Sequence, residues 1–317
     1  MPEFRFLLKN ALEKRAPLFE ETDAFRVVDG AEDDFPGVAI DKYGDHYQIQ
    51  FFGRELLFRE PDLVDAVKSV LSPAFLVTKF RLSPSGKSLE KPEMRVDIGE
   101  KSSATAIVRE GTSRFQVDLM DTVNPGLFLD MRAGRLDLEK RSRGIEVLNL
   151  FSYTCSFGVH ARMGGALRAV NVDISGKILD KGRENYRLNG LELKQGEFFK
   201  GSSQEYLEWC IKKGNKFGGI VLDPPSFARN KGKVFSVKTD FQTLVEGASQ
   251  ILLPGGFLLA SSNFSSFTPK SIAAESLETV RKFFPHARLA WAHGQGIDFP
   301  GSGTRKESAL SCAMILI

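Results

Sequence analysis

The chain has 317 residues and a formal net charge of +3, with 42% hydrophobic and 26% charged residues. This composition is typical of a folded globular protein and excludes a disordered or strongly basic chain, and the length is enough for two domains. No stretch approaches the roughly 18 apolar residues of a membrane span, and the first residues show no signal-peptide core. We therefore expect a cytoplasmic protein with no membrane partner.

The first part of the chain mixes a few helices with short strands. A helix is predicted within residues 1–20, followed by a small α+β domain over 21–118 that is a candidate for binding RNA or another substrate. The predicted strands cover 24–29, 36–41, 46–53, 75–80, 104–109 and 114–119, and the predicted helices cover 3–15 and 60–71.

Residues 119–317 contain a second domain in which strands alternate with helices. This alternation predicts an α/β, Rossmann-like fold with a mostly parallel sheet covered on both faces. Ligands in such folds bind at the carboxyl ends of the strands. The strands are predicted at 145–151, 168–173, 197–199, 219–223, 256–262, 287–293 and 308–316, and the helices at 156–164, 175–189, 203–213, 238–250 and 270–282.

The ends of the first two of these strands suggest a cofactor site. The turn from Asn149 to Gly158 leads into a helix, whose first backbone N–H groups can approach a ligand, although an ordinary connection between strand and helix is the alternative. Gly158 is its only glycine, so the turn is not the GxGxxG of dinucleotide binding, and a nicotinamide enzyme is disfavoured. Asp173 ends the second strand, where an acidic residue binds ribose hydroxyls or, alternatively, caps the helix that starts near Ser175.

The fourth and fifth strands end in groups that suit a planar base. After Asp223, Pro224 and Pro225 fix the backbone and remove two N–H donors, which projects the carboxylate and free carbonyls into the cleft. The alternative is a rigid turn with an incidental aspartate. Asn263, which ends the fifth strand, can both donate and accept hydrogen bonds, so it suits the edge of a base. The alternative is a polar cluster that only terminates the strand.

Together these segments resemble the class I methyltransferases that modify bacterial large-subunit ribosomal RNA, which include 5-methylcytosine and 7-methylguanine enzymes. The resemblance implies S-adenosylmethionine as cofactor, S-adenosylhomocysteine as product, no metal, large-subunit rRNA as partner, and a sheet whose last strand is antiparallel. The matching pieces are AFRVVDGAEDDFPGVAIDKYGD (24–45), NPGLFLDMR (124–132), LNLFSYTCSFGVHA (148–161), VDIS (172–175), ENYRLNGL (184–191), LDPPSF (222–227) and SSNF (261–264).

The resemblance also implies roles for individual residues. Asp173 with Ile174 resembles the ribose site. Asp223, Pro224 and Pro225 resemble the catalytic motif beside the transferred methyl group, and Asp223 is also among the expected cofactor-binding residues. Ser202 stands where the family usually has an aspartate that contacts adenine. Phe128, Asp130 and Arg132 alternate, which is compatible with one face of an extended segment but is ambiguous as a pattern alone. They resemble the residues that pack across the cofactor. The loop around its methionine part would contain Asn149, Phe151, Ser152, Thr154 and Ser156.

Two departures from the family affect the expected chemistry. We expect no counterpart of the N-terminal PUA domain of the cytosine enzymes, so the mode of RNA capture is open. Asn263 also replaces the nucleophilic cysteine of those enzymes, and Cys155 is expected to be a small packing residue. Carbon 5 of a pyrimidine needs such a nucleophile, whereas a nitrogen lone pair does not. We therefore expect direct transfer to a base nitrogen, with a purine and guanine N7 preferred, and with Asp223 and Asn263 as catalytic residues.

Basic and aromatic residues after the Asp-Pro-Pro motif suggest contact with RNA. Ser226, Phe227, Arg229 and Lys231 are the candidate substrate-binding residues, and a solvated loop is the alternative. Basic residues of the first helix, Arg5, Lys9, Lys14 and Arg15, form a second candidate patch. A methyltransferase for small molecules or proteins and a non-catalytic RNA-binding factor remain alternatives, and the expected assembly is a monomer or homodimer.

Overall fold

The computed structural model describes residues 2–82, 88–230, 233–300 and 310–317. It divides into two compact units, Met1–Asp130 with Gly296–Gly301, and Met131–Gln295 with Ser302–Ile317. None of the helices in the described ranges is long and apolar enough to cross a membrane.

The first unit is built on a five-stranded sheet in the order β1-β2-β3-β4-β5, in which only the β3–β4 pair is parallel. Helices α1 (Pro2–Arg15) and α2 (Glu60–Leu71) supply apolar residues to the core that this sheet shares with them. The strands are β1 (Ala24–Asp29), β2 (Val38–Tyr43), β3 (His46–Phe51), β4 (Phe75–Leu82) and β5 (Ser88–Ile98), and a separate hairpin consists of β6 (Thr105–Glu110) and β7 (Ser113–Asp118).

Strand β5 was not expected from the sequence. It contains Pro92 and mostly polar residues, which argue against a central strand. Its place at the edge of the sheet, paired with β4, resolves this difficulty because an edge strand tolerates a proline. The hairpin β6–β7 lies where the sequence predicts it.

The end of α1 contradicts part of the predicted basic patch. Arg15 is fully buried, and its guanidinium donates to both carboxylate oxygens of Asp33, at 2.7 and 2.6 Å. Lys14 also reaches Asp33, at 3.1 Å. A buried bidentate pair of this kind holds α1 to the turn after β1, so Arg15 is not available to RNA.

The segment after Phe128 is helical, so the extended conformation with which the alternation over 128–132 is compatible is not adopted. Leu129–Met131 forms a 3-10 turn, and Arg132 begins helix α3 (Arg132–Arg141). Most of the helix is made of good helix formers, and Asp137 pairs with Arg141 one turn later at 2.7 Å. These local preferences outweigh the alternation of three residues.

The second unit is built on a seven-stranded sheet in the order β10-β9-β8-β11-β14-β16-β15. Only β16 runs antiparallel to its neighbours, which confirms the predicted Rossmann-like sheet with an antiparallel last strand. Its strands are β8 (Glu146–Leu150), β9 (Arg168–Asp173), β10 (Phe198–Lys200), β11 (Phe217–Leu222), β14 (Leu252–Ser262), β15 (Arg288–His293) and β16 (Ser311–Leu316). The helices besides α3 are α4 (Ser156–Met163), α5 (Gly176–Leu188), α6 (Ser203–Lys213), α7 (Val237–Ile251) and α8 (Pro269–Arg281).

Both faces of this sheet are buried. Leu148, Leu150 and Ile220 belong to one apolar cluster, with residues of α6, α7 and α8, while Val147 and Val221 belong to another, with residues of α3 and α4. The chain order reverses between β8 and β11, which are neighbours in the sheet. A two-stranded hairpin of β12 (Phe227–Asn230) and β13 (Lys233–Ser236) follows β11 and was not predicted.

Candidate active site at the carboxyl edge of the parallel sheet

The predicted cofactor and catalytic residues of four strands meet at one edge of the second sheet. Strands β9, β8, β11 and β14 are adjacent and parallel. Their carboxyl ends therefore lie side by side, followed by Phe151 after β8, Asp173 at the end of β9, Asp223 after β11 and Asn263 after β14. This is the position where open α/β sheets bind ligands.

The loop after β8 has an unusual backbone. Phe151, Tyr153 and Cys155 have φ values of 59°, 47° and 63°, in the left-handed region that residues other than glycine rarely adopt. Each such residue costs about 1–3 kcal/mol and persists only where its surroundings enforce it. Backbone strain concentrated in one loop at a strand end is typical of a functional site.

Hydrogen bonds from neighbouring elements hold this loop. The N–H of Phe151 donates to Ser203 Oγ at 2.9 Å, that of Ser152 to the Val172 carbonyl at 3.0 Å, and that of Tyr153 to Asp173 Oδ2 at 3.0 Å. These partners belong to α6 and β9. The loop is therefore fixed by the tertiary structure rather than by its own sequence.

Asp173 joins this loop to the start of the next helix. Its Oδ2 accepts from Tyr153 and its Oδ1 accepts from the N–H of Ser175 at 2.9 Å. Burial raises the pKa of the Asp173 carboxyl above its usual value, although the two backbone hydrogen bonds act in the opposite direction. Ser175 itself is the N-cap of α5, with its side chain accepting from the N–H of Ile178.

Asn149 lies inside the sheet rather than at the loop. Its side chain is buried, and its amide donates to Asn171 Oδ1 of the adjacent strand at 2.9 Å. Ser152 and Thr154 are buried within the loop, and Ser156 begins α4. The five residues predicted to surround the methionine part of the cofactor therefore lie along β8 and the loop that follows it, but the Asn149 side chain bridges two strands.

Cys155 packs against α5. It is fully buried, and a side chain at Gly182 would overlap its sulfur atom. Burial raises the pKa of the Cys155 thiol to about 12, so the thiol is protonated at neutral pH. A protonated, enclosed thiol is a packing group and not a nucleophile.

Two adjacent serines at the start of α6 have different partners. Ser202 is the N-cap, and its hydroxyl accepts from the N–H of Glu205 at 3.4 Å. Ser203, which the sequence analysis missed, is buried and accepts the hydrogen bond of Phe151. A serine one position inside a helix start gives no sequence signal of a contact with a loop so far away in the chain.

The Asp-Pro-Pro-Ser segment is linked twice to the end of β14. The Ser261 hydroxyl donates to Asp223 Oδ1 at 2.5 Å, and the Ser226 hydroxyl donates to Asn263 Oδ1 at 2.6 Å. Pro224 is buried whereas Pro225 is exposed. Both predicted catalytic side chains are thus oriented by serines, which the sequence analysis did not assign to this role.

The remaining predicted residues are divided between the two units. Phe128 and Asp130 belong to the first unit, whereas Arg132 is buried at the start of α3 in the second. Phe227 and Arg229 form part of the backbone of β12, and Lys231 falls outside the described residues. In the part of the chain that is described, no group of three or more histidine, cysteine or acidic side chains could hold a metal ion.

The residues present fit an adenosyl cofactor. Each oxygen of Asp173 accepts one backbone N–H and keeps capacity for a hydroxyl donor of a ribose. The next residue, Ile174, is apolar and 52% exposed, as is suitable for a side chain that covers a planar base. Asp173, Ile174, Ser202 and the loop from Phe151 to Ser156 would hold such a group.

Sequence comparisons show the family to which the chain belongs. A family model described as S-adenosylmethionine-dependent methyltransferase matches residues 74–291. Ribosomal RNA large subunit methyltransferase I of Aeromonas salmonicida is 32% identical over 257 residues, which are 80% of this chain and 65% of that protein. Ribosomal RNA large subunit methyltransferase K of Neisseria meningitidis is 31% identical over 260 residues, 80% of this chain and 73% of that protein. The chain thus spans about two thirds of the length of these relatives.

Structural comparisons show the same fold. A crystal structure of a methyltransferase complexed with SAH has a TM-score of 0.85 and 26% identity, and covers 100% of this chain and 81% of that chain. A methyltransferase from Streptococcus mutans has a TM-score of 0.83 and 24% identity, with the same coverage. The family match over most of the chain and the arrangement of the strand ends lead to one conclusion: this chain belongs to the S-adenosylmethionine-dependent methyltransferase family.

Proposed function

We propose that this enzyme transfers a methyl group to a base nitrogen of large-subunit ribosomal RNA, preferentially guanine N7, without a cysteine nucleophile. The observation that carries this proposal is the position of Asp223 and Asn263 just after the adjacent strands β11 and β14, where each accepts a hydrogen bond from a serine hydroxyl. The relatives that are named as large-subunit rRNA methyltransferases support the class of substrate.

The positions of the cysteines support a nitrogen acceptor. The three cysteines of the chain are all buried, and the Cys155 thiol has a pKa raised to about 12. Cys210 lies within α6 and Cys312 within β16, and neither Ser226 nor Asn263 can supply a thiolate. Methylation at a pyrimidine carbon requires a thiolate adduct, whereas a nitrogen lone pair reacts without covalent catalysis.

The residues of the chain would act mainly by positioning. Bound S-adenosylmethionine supplies an electrophilic methyl group on a sulfonium sulfur. Asp223 and Asn263 would hold the base so that its nitrogen lone pair is aligned with that methyl group, and good alignment contributes up to about 7–11 kcal/mol. A carboxylate at Asp223 also stabilises the positive charge that develops on a purine ring when N7 is methylated. No proton has to leave at N7, so the site needs no general base.

RNA capture is assigned to the residues after the catalytic motif. Phe227, Arg229 and Lys231 follow Ser226 directly, and aromatic and basic side chains in sequence suit stacked bases and phosphates. The first unit is a second candidate contact for the RNA.

The test is methyl transfer to ribosomal RNA. Purified enzyme is incubated with labelled S-adenosylmethionine and with large-subunit rRNA from cells that lack the gene, and the nucleosides are identified by mass spectrometry. We expect one labelled methylated purine. Asp223→Ala should abolish transfer while calorimetric binding of S-adenosylmethionine persists, and Asp180→Ala on the exposed face of α5 is the matched control.

Two outcomes would contradict the proposal. Label in a pyrimidine carbon would overturn the nitrogen acceptor. No label in RNA, together with label in a protein or small-molecule fraction, would overturn RNA as the substrate.

A further inference from the structure

We infer that the hydrogen bond between Ser226 and Asn263 turns Asn263 into a donor toward the base, so that this pair selects guanine over adenine. The inference rests on the proposed function and assigns the residues that choose the base. Ser226 is a positioning residue in this scheme, because it acts through Asn263.

The argument starts from the partners of the Asn263 amide. Its oxygen accepts from the Ser226 hydroxyl at 2.6 Å. Among the described side chains, which leave out those of residues 227–235, its nitrogen has no hydrogen-bond partner, and the side chain is exposed just after β14. An amide whose oxygen is engaged presents its two N–H groups to whatever binds beside it.

The position of Ser226 is fixed by the chain before it. Pro224 and Pro225 restrict the backbone between Asp223 and Ser226. The hydrogen bond from Ser261 to Asp223 ties the same segment to β14 a second time. Strands β11 and β14 are in register at Leu222 and Ala260, so the two links lie one after the other beyond the paired strands. The amide is therefore preorganised before any base arrives.

The direction of the hydrogen bond decides which purine fits. The N7 edge of guanine carries two acceptors, N7 and O6, whereas adenine has an amino donor in place of O6. When N7 forms its bond to the methyl carbon, the electron pair of the broken carbon–sulfur bond stays on sulfur. O6 remains free to accept from Asn263. With adenine two N–H donors would face each other, and a donor that the bound base covers without pairing lowers the rate at least about tenfold.

The experiment compares three bases at the methylated position of a synthetic rRNA fragment. Guanine is replaced by 2-aminopurine, which lacks O6, or by 2,6-diaminopurine, which has an amino group there. For the unmodified enzyme we expect kcat/KM to fall at least tenfold with either replacement. In Ser226→Ala, kcat/KM for the guanine fragment should already be lower by most of that factor, and 2-aminopurine should lower it little further. Ser226→Thr, which keeps the hydroxyl, should restore the preference for guanine.

A second variant reverses the preference. Asn263→Asp replaces the donor by an acceptor, so we expect it to methylate the 2,6-diaminopurine fragment better than the guanine fragment. Ser265→Ala, an exposed serine two residues beyond Asn263, is the matched control and should behave as the unmodified enzyme. Calorimetric binding of S-adenosylmethionine, unchanged in Ser226→Ala, distinguishes a loss of base selection from a loss of folding.

The outcomes separate this inference from the proposed function. If no RNA is labelled by the unmodified enzyme, both are overturned. If RNA is labelled at an adenine nitrogen, the inference and the preference for guanine are overturned, whereas transfer to a base nitrogen of RNA stands. If guanine is labelled but Ser226→Ala and Ser265→Ala respond equally to the loss of O6, only the inference is overturned. A reversed preference in Asn263→Asp supports it.

Discussion

The backbone N–H of Tyr153 donates a 3.0 Å hydrogen bond to Asp173 Oδ2, which ties the strained loop after β8 to the end of β9. The other carboxylate oxygen accepts from Ser175, so one side chain fixes the loop and the start of α5 together. The same carboxylate is the proposed acceptor for the ribose hydroxyls. Loop geometry and cofactor affinity are therefore expected to change together at this residue.

Asp173→Ala should weaken binding of S-adenosylmethionine by about 10- to 100-fold, because it removes a charged acceptor and the support of the loop. Since burial raises the pKa of Asp173, affinity should also fall on acidification at a pH above the usual value for aspartate. Calorimetry between pH 4 and 8 measures both effects, with Asp180→Ala as the control. Equal affinity in the two variants would contradict the assigned role.

Ser203→Ala should loosen the loop and destabilise the fold, because it leaves the Phe151 N–H without its acceptor. An unsatisfied donor of this kind costs about 1–3 kcal/mol. Ser202→Ala removes only a helix cap with a 3.4 Å hydrogen bond and is the matched comparison. Urea denaturation gives the stabilities, and hydrogen exchange of the Phe151 amide gives the local effect. Faster exchange in Ser202→Ala than in Ser203→Ala would reverse this assignment.

Gly182→Ala should destabilise the second unit by about 1–3 kcal/mol, as is typical of overpacking. The new methyl group would overlap Cys155 Sγ and lie 3.0 Å from Cys155 Cβ. Adding Cys155→Gly removes both atoms and suits a residue with φ of 63°, so the double variant should regain much of the stability. Thermal unfolding of the four proteins measures the coupling, and strictly additive effects would show that the two residues do not interact.

Lys79 should make stability depend on alkaline pH. It is 1% exposed in β4, its ammonium donates to the Asp121 carbonyl at 2.8 Å, and burial, helped by the nearby charge of Arg81, lowers its pKa to about 8. In the unfolded chain the pKa of lysine is about 10.4. Between these values the unfolded state binds more protons, so the free energy of unfolding gains a contribution that rises with pH, by up to about 3 kcal/mol.

The measurement compares urea denaturation of the unmodified protein and of Lys79→Met from pH 7 to 11. The free energy of unfolding of the unmodified protein should increase relative to that of Lys79→Met as pH rises from about 8 to 10.4. Exposed Lys91→Met controls for the loss of one positive charge. A difference that is constant with pH would show that Lys79 is not desolvated as described.

The sequence by itself determined the Rossmann-like sheet, the edge at which ligands bind and most residues at that edge. Alternation of apolar strands with helices is a local property, and the polar residues that end each strand are visible along the chain. Asp173, Asp223 and Asn263 could be found in this way because the carboxyl ends of parallel strands must share an edge.

Only the tertiary structure decided which side chains meet. Ser261 reaches Asp223 and Ser226 reaches Asn263 across separations of 38 and 37 residues, because β11 and β14 are neighbours, and strand order is not encoded in the local period. For the same reason Ser203 was missed and the Asn149 side chain was found bridging two strands. The edge strand β5, with its proline and polar residues, became recognisable only through its pairing with β4. Contacts between distant segments stabilise the protein only once folding has brought the two segments together, so the local sequence pattern does not reveal them.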